Sequence, residues 1–303
     1  MPGRPGILLL CLALLQACPA LGRDPVPEFP AARAWELLLA QCALGPRVPG
    51  TAAHGKCLEL MESTLKRAGG RVVAHTFRGM AGARADSMTL TNVAARFGPP
   101  GEAILIGAHW DTRPWADQDP LVSNRSRPII GANDGASGVA VLLALAEVLG
   151  KQPPPVPVEL AFFDGEDQGR AGDDGAYLLG SREHARTLRP PLPRAVVVID
   201  IVGGKSLHIC REATSEQYAG WLNELLFGRA RDLGLSGFED RVCYAVLDDH
   251  VPFLERGIPA VDLVDMHFPQ WHTVDDVPRA CAPESLGQVG RLLVDFLYGG
   301  SLQ

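Results

Sequence analysis

The chain has 303 residues, of which 47% are hydrophobic and 21% are charged, and its formal net charge is -7. This ordinary balance excludes wholesale disorder, and the length is sufficient to bury one large core or two small ones. The negative charge argues against nonspecific nucleic-acid binding, so we expect no nucleic-acid partner.

The first 22 residues have the pattern of a targeting segment. Arg4 provides a thin positive start, residues 7–15 are apolar, and small residues follow up to Gly22. The apolar run is short for a membrane span, so we expect no stable membrane insertion. We predict a signal peptide over residues 1–22, a catalytic domain over 23–303, and a secreted or otherwise extracytoplasmic protein. Two alternatives stay open. One is an uncleaved signal anchor, and the other is a lipoprotein attached at Cys18, although Gln16 departs from the lipoprotein motif.

The first half of the mature chain predicts two helices followed by strands. Apolar residues recur at helical spacing over 31–42 and 54–68, and the second helix ends at Gly69-Gly70. Strands are predicted over 71–77, 87–97 and 103–108. A long polar segment over 110–128 follows, and loops of that length inside compact domains are usually functional. Small residues over 131–138 then lead into a helix over 139–149.

The second half alternates strands with helices. An apolar strand over 156–163 stops at Asp164-Gly165-Glu166-Asp167. Further strands are predicted over 195–201, 242–247 and 260–264, and helices over 177–188, 216–233 and 283–298. This alternation, without a repeat or a linker, predicts a single three-layer α/β domain. Its mixed, mostly parallel central sheet has antiparallel strands near the start and is flanked by helices.

Polar residues that follow the predicted strands have the composition of a metal site. The neighbouring carboxylates of Glu166 and Asp167 repel and are costly to bury, so a divalent metal beside them is the simplest explanation. An acidic turn that caps the next helix is the alternative. Because parallel strands end at one edge of a sheet, the residues after them converge there. Imidazole and carboxylate groups without sulfur are typical of catalytic zinc. The candidates are His109, Asp111, Asp134, Glu166, Asp167, Asp200, Asp248, Asp249, His250 and His272.

Other titratable residues are assigned structural roles. We expect His250 to support the site by hydrogen bonds rather than to bind metal. We expect ordinary structural roles for four histidines, His54, His75, His184 and His208. We expect four aspartates to lie in loops without a special role, namely Asp119, Asp173, Asp174 and Asp240.

Five cysteines follow the targeting segment, an odd number at irregular spacing. No paired motif indicates a thiolate zinc site or a redox pair. A disulfide between Cys42 and Cys57 and a set of five unrelated thiols both remain open. The five are Cys42, Cys57, Cys210, Cys243 and Cys281.

Several motifs, in the order given at the end of this paragraph, resemble those of the zinc aminopeptidase superfamily and, within it, those of the glutaminyl-peptide cyclotransferases (glutaminyl cyclases). The similarity covers roughly residues 35–298 and is specific because the motifs occur as an ordered set. The motifs are His109-Trp110-Asp111, Gly131-Ala132-Asn133-Asp134-Gly135-Ala136-Ser137-Gly138, Phe162-Phe163-Asp164-Gly165-Glu166-Asp167, Leu179-Gly180-Ser181-Arg182, Asp200, Asp248-Asp249-His250-Val251-Pro252-Phe253 and Trp271-His272-Thr273-Val274-Asp275-Asp276.

The resemblance implies a zinc-aminopeptidase-like α/β fold and one zinc ion per chain. It implies zinc ligation by Asp134, Asp167 and His272, and a general acid/base role for Glu166. By the same resemblance, Asp200 and Asp248 complete an acidic hydrogen-bond relay and Trp271 lines the substrate pocket. Two features depart from the family: Asp167 stands where Glu is usual, and residues 168–176 lack the expected pocket tryptophan.

The function implied is conversion of N-terminal glutamine to pyroglutamate with release of ammonia. The substrates would be peptide or protein N-termini, and we expect a monomer. The alternative is a secreted aminopeptidase with two zinc ions, in which His109 and Asp200 hold the second metal and Asp134 bridges both. Asp248 favours the cyclase, because peptidases of this superfamily commonly have a small hydroxyl residue there. A non-catalytic binding domain on the same fold is a third, weaker reading.

Overall fold

A six-stranded mixed sheet forms the centre of the computed structural model, which describes residues 25–80, 87–170 and 172–300. The predicted signal peptide over 1–22 lies outside the described residues. The strands are β1 (Arg71–Met80), β2 (Ser87–Phe97), β3 (Ile104–His109), β4 (Val158–Phe163), β5 (Ala195–Asp200), β6 (Ile209–Glu212), β7 (Phe238–Tyr244) and β8 (Ala260–Val264). The helices are α1 (Ala31–Cys42), α2 (Ala52–Arg67), α3 (Ala136–Lys151), α4 (Leu179–Thr187), α5 (Ala213–Asp232), α6 (Val251–Leu254) and α7 (Pro283–Tyr298).

The sheet order is β1-β2-β4-β3-β5-β8. Strands β1, β2 and β4 pair antiparallel, whereas β4, β3, β5 and β8 pair parallel. The strands β3, β4, β5 and β8 are buried on both faces, as parallel strands covered by helices require. Strands β4 and β5 lie on opposite sides of β3. The chain therefore moves towards one edge of the sheet after β3 and towards the other edge after β4, and a crevice opens between these connections at the carboxyl ends of the strands.

Helices cover both faces of the sheet. The larger core packs α1, α3, α5 and α7 against one face, and a smaller core packs α4 and α6 against the other. The predicted fold class, a three-layer α/β domain with a mixed, mostly parallel sheet, is therefore confirmed. No helix in the described part of the chain is both long and apolar enough to cross a membrane.

The remaining two strands form a separate parallel pair, β6 and β7. The sequence analysis missed β6, which has only four residues and no alternating pattern. It also placed the neighbouring strand wrongly at 242–247, because Val246 and Leu247 are apolar but line a cavity after β7 has ended. Asp240, expected in a loop, lies in β7.

The cysteine pairing differs from the one considered. A disulfide joins Cys210 on β6 to Cys243 on β7, with a Cα–Cα distance of 5.8 Å. Cys42 and Cys57 are free thiols, as is Cys281. Cys57 faces the apolar core from α2, and burial raises the pKa of its thiol to about 11, so it is an inert core residue.

Candidate active site

A cavity of about 210 Å³ lies at the carboxyl ends of the parallel strands. Seven predicted site residues from widely separated segments line it, which is what convergence at one sheet edge requires. They are Asp134, Glu166, Asp167, Asp200, Asp248, Trp271 and His272. His109 lies behind the cavity wall and is buried.

The turn after β4 is held by a carboxylate from the neighbouring strand. Asp111, which follows β3, accepts hydrogen bonds from the backbone N–H groups of Glu166 (3.1 Å) and Asp167 (3.2 Å). The Gln168 amide also donates to Asp111, at 2.8 Å. Asp111 thus acts on the backbone, which leaves the side chains of Glu166 and Asp167 free to face the cavity.

Asp134 is positioned by the glycine that follows it. Gly135 has φ +89°, and a Cβ there would lie 2.8 Å from the Asp111 carbonyl oxygen, so only glycine fits the start of α3. The backbone N–H of Asp134 donates to Asp276 at 3.1 Å. Burial, together with the charge of Asp134, raises the pKa of Asp276 to about 7.

Three predicted ligand residues converge on one point. The Nε2 atom of His272 lies 3.5 Å from Asp134 Oδ2 and 3.5 Å from Asp167 Oδ1, the oxygen to which Arg113 also donates. Ligand atoms around a tetrahedral zinc ion are separated by about 3.4 Å, given metal–ligand bonds of roughly 2.1 Å. Asp134 Oδ2 and Asp167 Oδ2 are buried and have no hydrogen-bond partner among the described residues. A divalent cation would satisfy both, so these residues fit one.

A second group shares Asp134. His109 Nε2 lies 3.1 Å from Asp134 Oδ1 and 3.1 Å from Asp200 Oδ1. Burial lowers the pKa of His109, but Asp200, Asp111 and Asp134 outweigh it and raise that pKa well above its ordinary value. This group is the one that the two-metal alternative requires.

Glu166 faces the cavity, and no cationic side chain among the described residues donates a hydrogen bond to its carboxylate. Burial, and then the charge of Asp167, raise its pKa well above the ordinary value. Burial likewise raises the pKa of Asp167 to about 7, with Asp134 adding to the effect and His272 opposing it. Glutamates with raised pKa values in clefts are typical general acids and bases.

Two further acids, Asp200 and Asp248, line the cavity. Burial raises the pKa of Asp200 to about 7, and its carboxylate accepts from the Ile201 backbone N–H at 2.8 Å. Asp248 is nearly buried and lies beside a buried acid that the sequence analysis did not consider, Asp262. His250 lies behind Asp248, with Nε2 3.2 Å from Glu212, and does not line the cavity.

Sequence reasoning missed a buried arginine that supports the ligands. Arg113 donates to Asp167 Oδ1 at 2.6 Å and makes two hydrogen bonds to Asp117, at 2.8 and 2.7 Å. Asp117 in turn lies 3.5 Å from His272 Nδ1, the ring nitrogen that faces away from the ligand group. Both residues belong to the long polar segment after β3, so its length was the available signal. Asp119, in the same segment, was expected to need no special role but is buried and accepts from the Val274 N–H at 3.1 Å.

The segment that carries Trp271 and His272 has a strained backbone. His272 has φ +55°, in the left-handed region that non-glycine residues avoid, and such outliers concentrate at functional sites. The Trp271 ring stacks on the His272 ring with centroids 3.8 Å apart. Tyr177 directly follows the segment that lacks the expected tryptophan. It lines the cavity, and its hydroxyl accepts a hydrogen bond from Arg113 at 3.2 Å.

Comparisons with known proteins agree with this geometry. The profile of peptidase family M28 matches residues 92–297. The glutaminyl-peptide cyclotransferase-like protein of Bos taurus is 26% identical over 313 residues, covering 91% of this chain and 77% of the relative. The glutaminyl cyclase of Bacteroides thetaiotaomicron, solved with N-acetylhistamine, superposes with a TM-score of 0.88 at 30% identity, covering 91% of this chain and all of that chain. A Zn-dependent exopeptidase from Parabacteroides distasonis superposes with a TM-score of 0.87 at 32% identity, covering 90% and 99%. The resemblance seen in the motifs is confirmed.

Proposed function

The chain belongs to peptidase family M28, and we propose that it is a zinc-dependent glutaminyl-peptide cyclotransferase. In the proposed reaction, the N-terminal glutamine of a peptide or protein is converted to pyroglutamate and ammonia is released. Relatives and solved structures that are glutaminyl cyclases support the assignment.

We assign the metal to Asp134, Asp167 and His272, whose ligand atoms lie within 4.8 Å of one another. Bound there, a zinc ion would supply Lewis-acid polarisation of the glutamine side-chain carbonyl. His272→Ala should strip the metal, measured as zinc per chain by mass spectrometry. Full zinc occupancy in that variant would refute the assignment, whatever the reaction.

The substrate glutamine occupies the cavity in a bent form. Asp200 and Asp248 hold its α-amino group by hydrogen bonds, and the Trp271 ring packs against its side chain; all three residues line the cavity. The amine is thereby placed next to its own side-chain amide. Because nucleophile and electrophile belong to one residue, positioning supplies much of the rate enhancement.

Glu166 carries the proton transfers. Its carboxylate accepts a proton from the α-amino group as the nitrogen attacks the side-chain amide carbon, forming the ring C–N bond. The same proton is then donated to the departing nitrogen as the original amide C–N bond breaks, and ammonia leaves. The raised pKa of Glu166 suits a group that must both accept and return a proton near neutral pH.

The observation that carries the cyclase assignment is the position of Asp248. It lines the same cavity as Glu166 and Asp200, so three acids face this small chamber in addition to the two that are assigned to the metal, Asp134 and Asp167. An amine bound among three acids needs no second cation. The aminopeptidase is the second candidate, favoured by the His109–Asp134–Asp200 group and by the exopeptidase among the structural neighbours.

One experiment separates the two candidates. Purified protein is incubated with a peptide that begins with glutamine and, separately, with aminoacyl anilides, while zinc per chain is counted. Ammonia release with one zinc supports the cyclase, and aniline release with two zinc ions supports the peptidase and overturns the proposal. Glu166→Gln serves as the inactive control for both assays.

We also propose that the protein is exported by the segment over 1–22 and acts as a monomer. The targeting pattern of that segment supports export. N-terminal sequencing of protein recovered outside the cytoplasm and light scattering of purified protein test the two points.

A further inference from the structure

A second cavity, of about 300 Å³, adjoins the active-site cavity at the sheet edge. The two cavities share four lining residues, Tyr177, Leu247, Trp271 and His272, so they lie side by side. We call the second one the outer cavity. The reaction proposed above leaves it unused, since the metal and the N-terminal glutamine are both assigned to the active-site cavity.

The geometry of a peptide chain determines which part of a substrate meets the outer cavity. A substrate with its first residue in the active-site cavity must continue outwards from there, and successive Cα atoms are only 3.8 Å apart. The second residue therefore lies at the rim of the active-site cavity. The four shared residues form that rim on the side of the outer cavity.

The shared residues offer an apolar surface. Leu247 is 46% exposed, although it is a large apolar residue. The Trp271 ring is held by stacking on His272, with centroids 3.8 Å apart, and the Tyr177 hydroxyl is held by the hydrogen bond from Arg113. The leucine and the two aromatic rings are thus positioned before a substrate arrives, which lowers the entropy cost of binding.

The charged groups in the outer cavity are already paired. Arg113 and Asp117 both line it, and they make two hydrogen bonds to each other, at 2.8 and 2.7 Å. A charged side chain of a substrate would lose water there without gaining a free counter-ion, which is unfavourable. An apolar side chain has no such cost and gains from burial.

The outer cavity also has the space for a large side chain. Gly172, in the segment that lacks the expected tryptophan, lines it, and a Cβ at this glycine would meet no described atom within 4 Å. The outer cavity, of about 300 Å³, is larger than the active-site cavity, of about 210 Å³, to which a glutamine side chain is assigned.

We propose that the outer cavity is the subsite for the residue that follows the N-terminal glutamine, and that it selects substrates with a large apolar side chain at that position. The proposal rests on the cyclase assignment, because that assignment places glutamine in the active-site cavity. Leu247 is then a residue that determines specificity and takes no part in the proton transfers.

The test uses peptides that begin with glutamine and differ only at the second residue, which is glycine, leucine, phenylalanine, lysine or glutamate. Ammonia release by the full chain gives kcat/KM for each. The phenylalanine peptide should exceed the glycine peptide by about tenfold or more, the effect of burying one large apolar side chain. The leucine peptide should behave similarly, and the lysine and glutamate peptides should stay near the glycine value. A phenylalanine-to-glycine ratio near one, or a charged peptide turned over as fast as the phenylalanine peptide, overturns the proposal.

Leu247→Ala tests the residue itself. This change should lower the phenylalanine-to-glycine ratio by about fourfold, the equivalent of one buried CH₂ group. Leu39→Ala is the matched control, since it makes the same change at a leucine that is 40% exposed, lies in α1 and lines neither cavity. The ratio in this control should equal that of the unmodified protein. An unchanged ratio in Leu247→Ala, or an equal fall in Leu39→Ala, contradicts the assignment of Leu247.

The products formed from the same peptides separate the failure of this proposal from the failure of the cyclase assignment. Ammonia release at equal rates from all five peptides overturns the subsite and leaves the cyclase standing. Release of free glutamine in place of ammonia overturns the cyclase. The ratio of those rates still tests the subsite, because the second residue then follows the cleaved bond and lies at the same rim.

Discussion

Two buried aspartates follow the same strand, β4, and have opposite surroundings. Asp164 accepts hydrogen bonds from the Thr91 backbone N–H at 2.6 Å and from His54 Nε2 at 2.9 and 3.1 Å. Asp167, three residues later, has one oxygen bonded to Arg113 and the other buried without a partner. The two carboxylates lie on opposite sides of Gly165, where φ is +80° and the chain turns.

The comparison shows which property distinguishes a structural acid from a functional one. Burial raises the pKa of Asp164 to about 6 and that of Asp167 to about 7, so the pKa values alone do not separate them. The hydrogen bonds do, because a buried polar atom without a partner is costly and persists where something else binds it. Asp164 is satisfied by its own fold, whereas Asp167 Oδ2 has no hydrogen-bond partner in the described part of the chain, as expected of the metal ligand that we propose.

The largest effect on activity is expected from Glu166→Gln, which changes the acid that lines the cavity next to Asp167. Removal of the acid/base group should lower turnover by a factor of about 10²–10⁴, while zinc content stays unchanged. Ammonia release and zinc per chain, measured on the same preparation, check this. Near-normal turnover in the variant would exclude Glu166 as the proton carrier.

The next effect concerns the support of the ligand group. Asp117→Asn removes the negative charge beside His272 Nδ1 and should weaken zinc binding by about 10–100-fold, as loss of an outer-shell partner usually does. Competition with a chelator measures the affinity. Asp275→Asn, an exposed acid in the same segment as His272, is the matched control and should leave zinc affinity unchanged.

A smaller effect on activity, but a clear one on stability, is expected at Asp164, the aspartate whose carboxylate has its hydrogen-bond partners. Asp164→Ala leaves His54 and the Thr91 N–H buried without their acceptor and should lower the free energy of unfolding by about 1–3 kcal/mol. Turnover per folded molecule should change little. In metal-free protein, Asp167→Asn should instead raise the free energy of unfolding, because it keeps a side-chain oxygen for Arg113 and removes a charge that repels Asp134. If urea unfolding found the metal-free Asp167 variant to be the less stable of the two, the contrast between the aspartates would fail.

The smallest effect on activity is expected at Glu212, a second satisfied acid. Its carboxylate accepts hydrogen bonds from the backbone N–H groups of Thr214, Ser215 and Val246. Burial raises the pKa of Glu212, but His250 and the N–H groups of Thr214 and Ser215 outweigh burial and lower that pKa from 4.5 to about 2. A lowered pKa stabilises the fold above the unfolded value, so Glu212→Gln should cost about 3 kcal/mol near neutral pH.

The same lowered pKa determines the pH dependence of that cost. The stabilisation is lost as pH falls from 4.5 towards 2, so the difference between the two proteins should shrink to less than half of its neutral-pH value near pH 3. Urea unfolding at pH 7 and pH 3 measures it. A difference that stays constant with pH would show that hydrogen bonding by a neutral side chain, and not the carboxylate charge, holds this turn.

Much of the fold and of the cavity wall was predictable from local patterns. The helices Ala31–Cys42 and Pro283–Tyr298 and the strands Ser87–Phe97 and Ala260–Val264 have the predicted bounds, because their apolar periodicity is strong and their ends carry breakers. Asp248 and Trp271 were found in the motifs and do line the cavity. Arg113 was not, because a lone arginine in a polar loop has no local signature of burial.

The sequence by itself determined the order of the central-sheet strands and of the longer helices and, through the rule that parallel strands end at one edge, most of the groups that meet there. Only the tertiary structure decided which of those groups are satisfied and which are not. It placed Asp164 against His54 from α2, joined Cys210 to Cys243 across 33 residues, and put Asp117 behind His272. The physical reason is that periodicity acts over neighbouring residues, whereas a hydrogen bond or a disulfide depends on distances of a few ångströms between remote segments, which packing alone establishes.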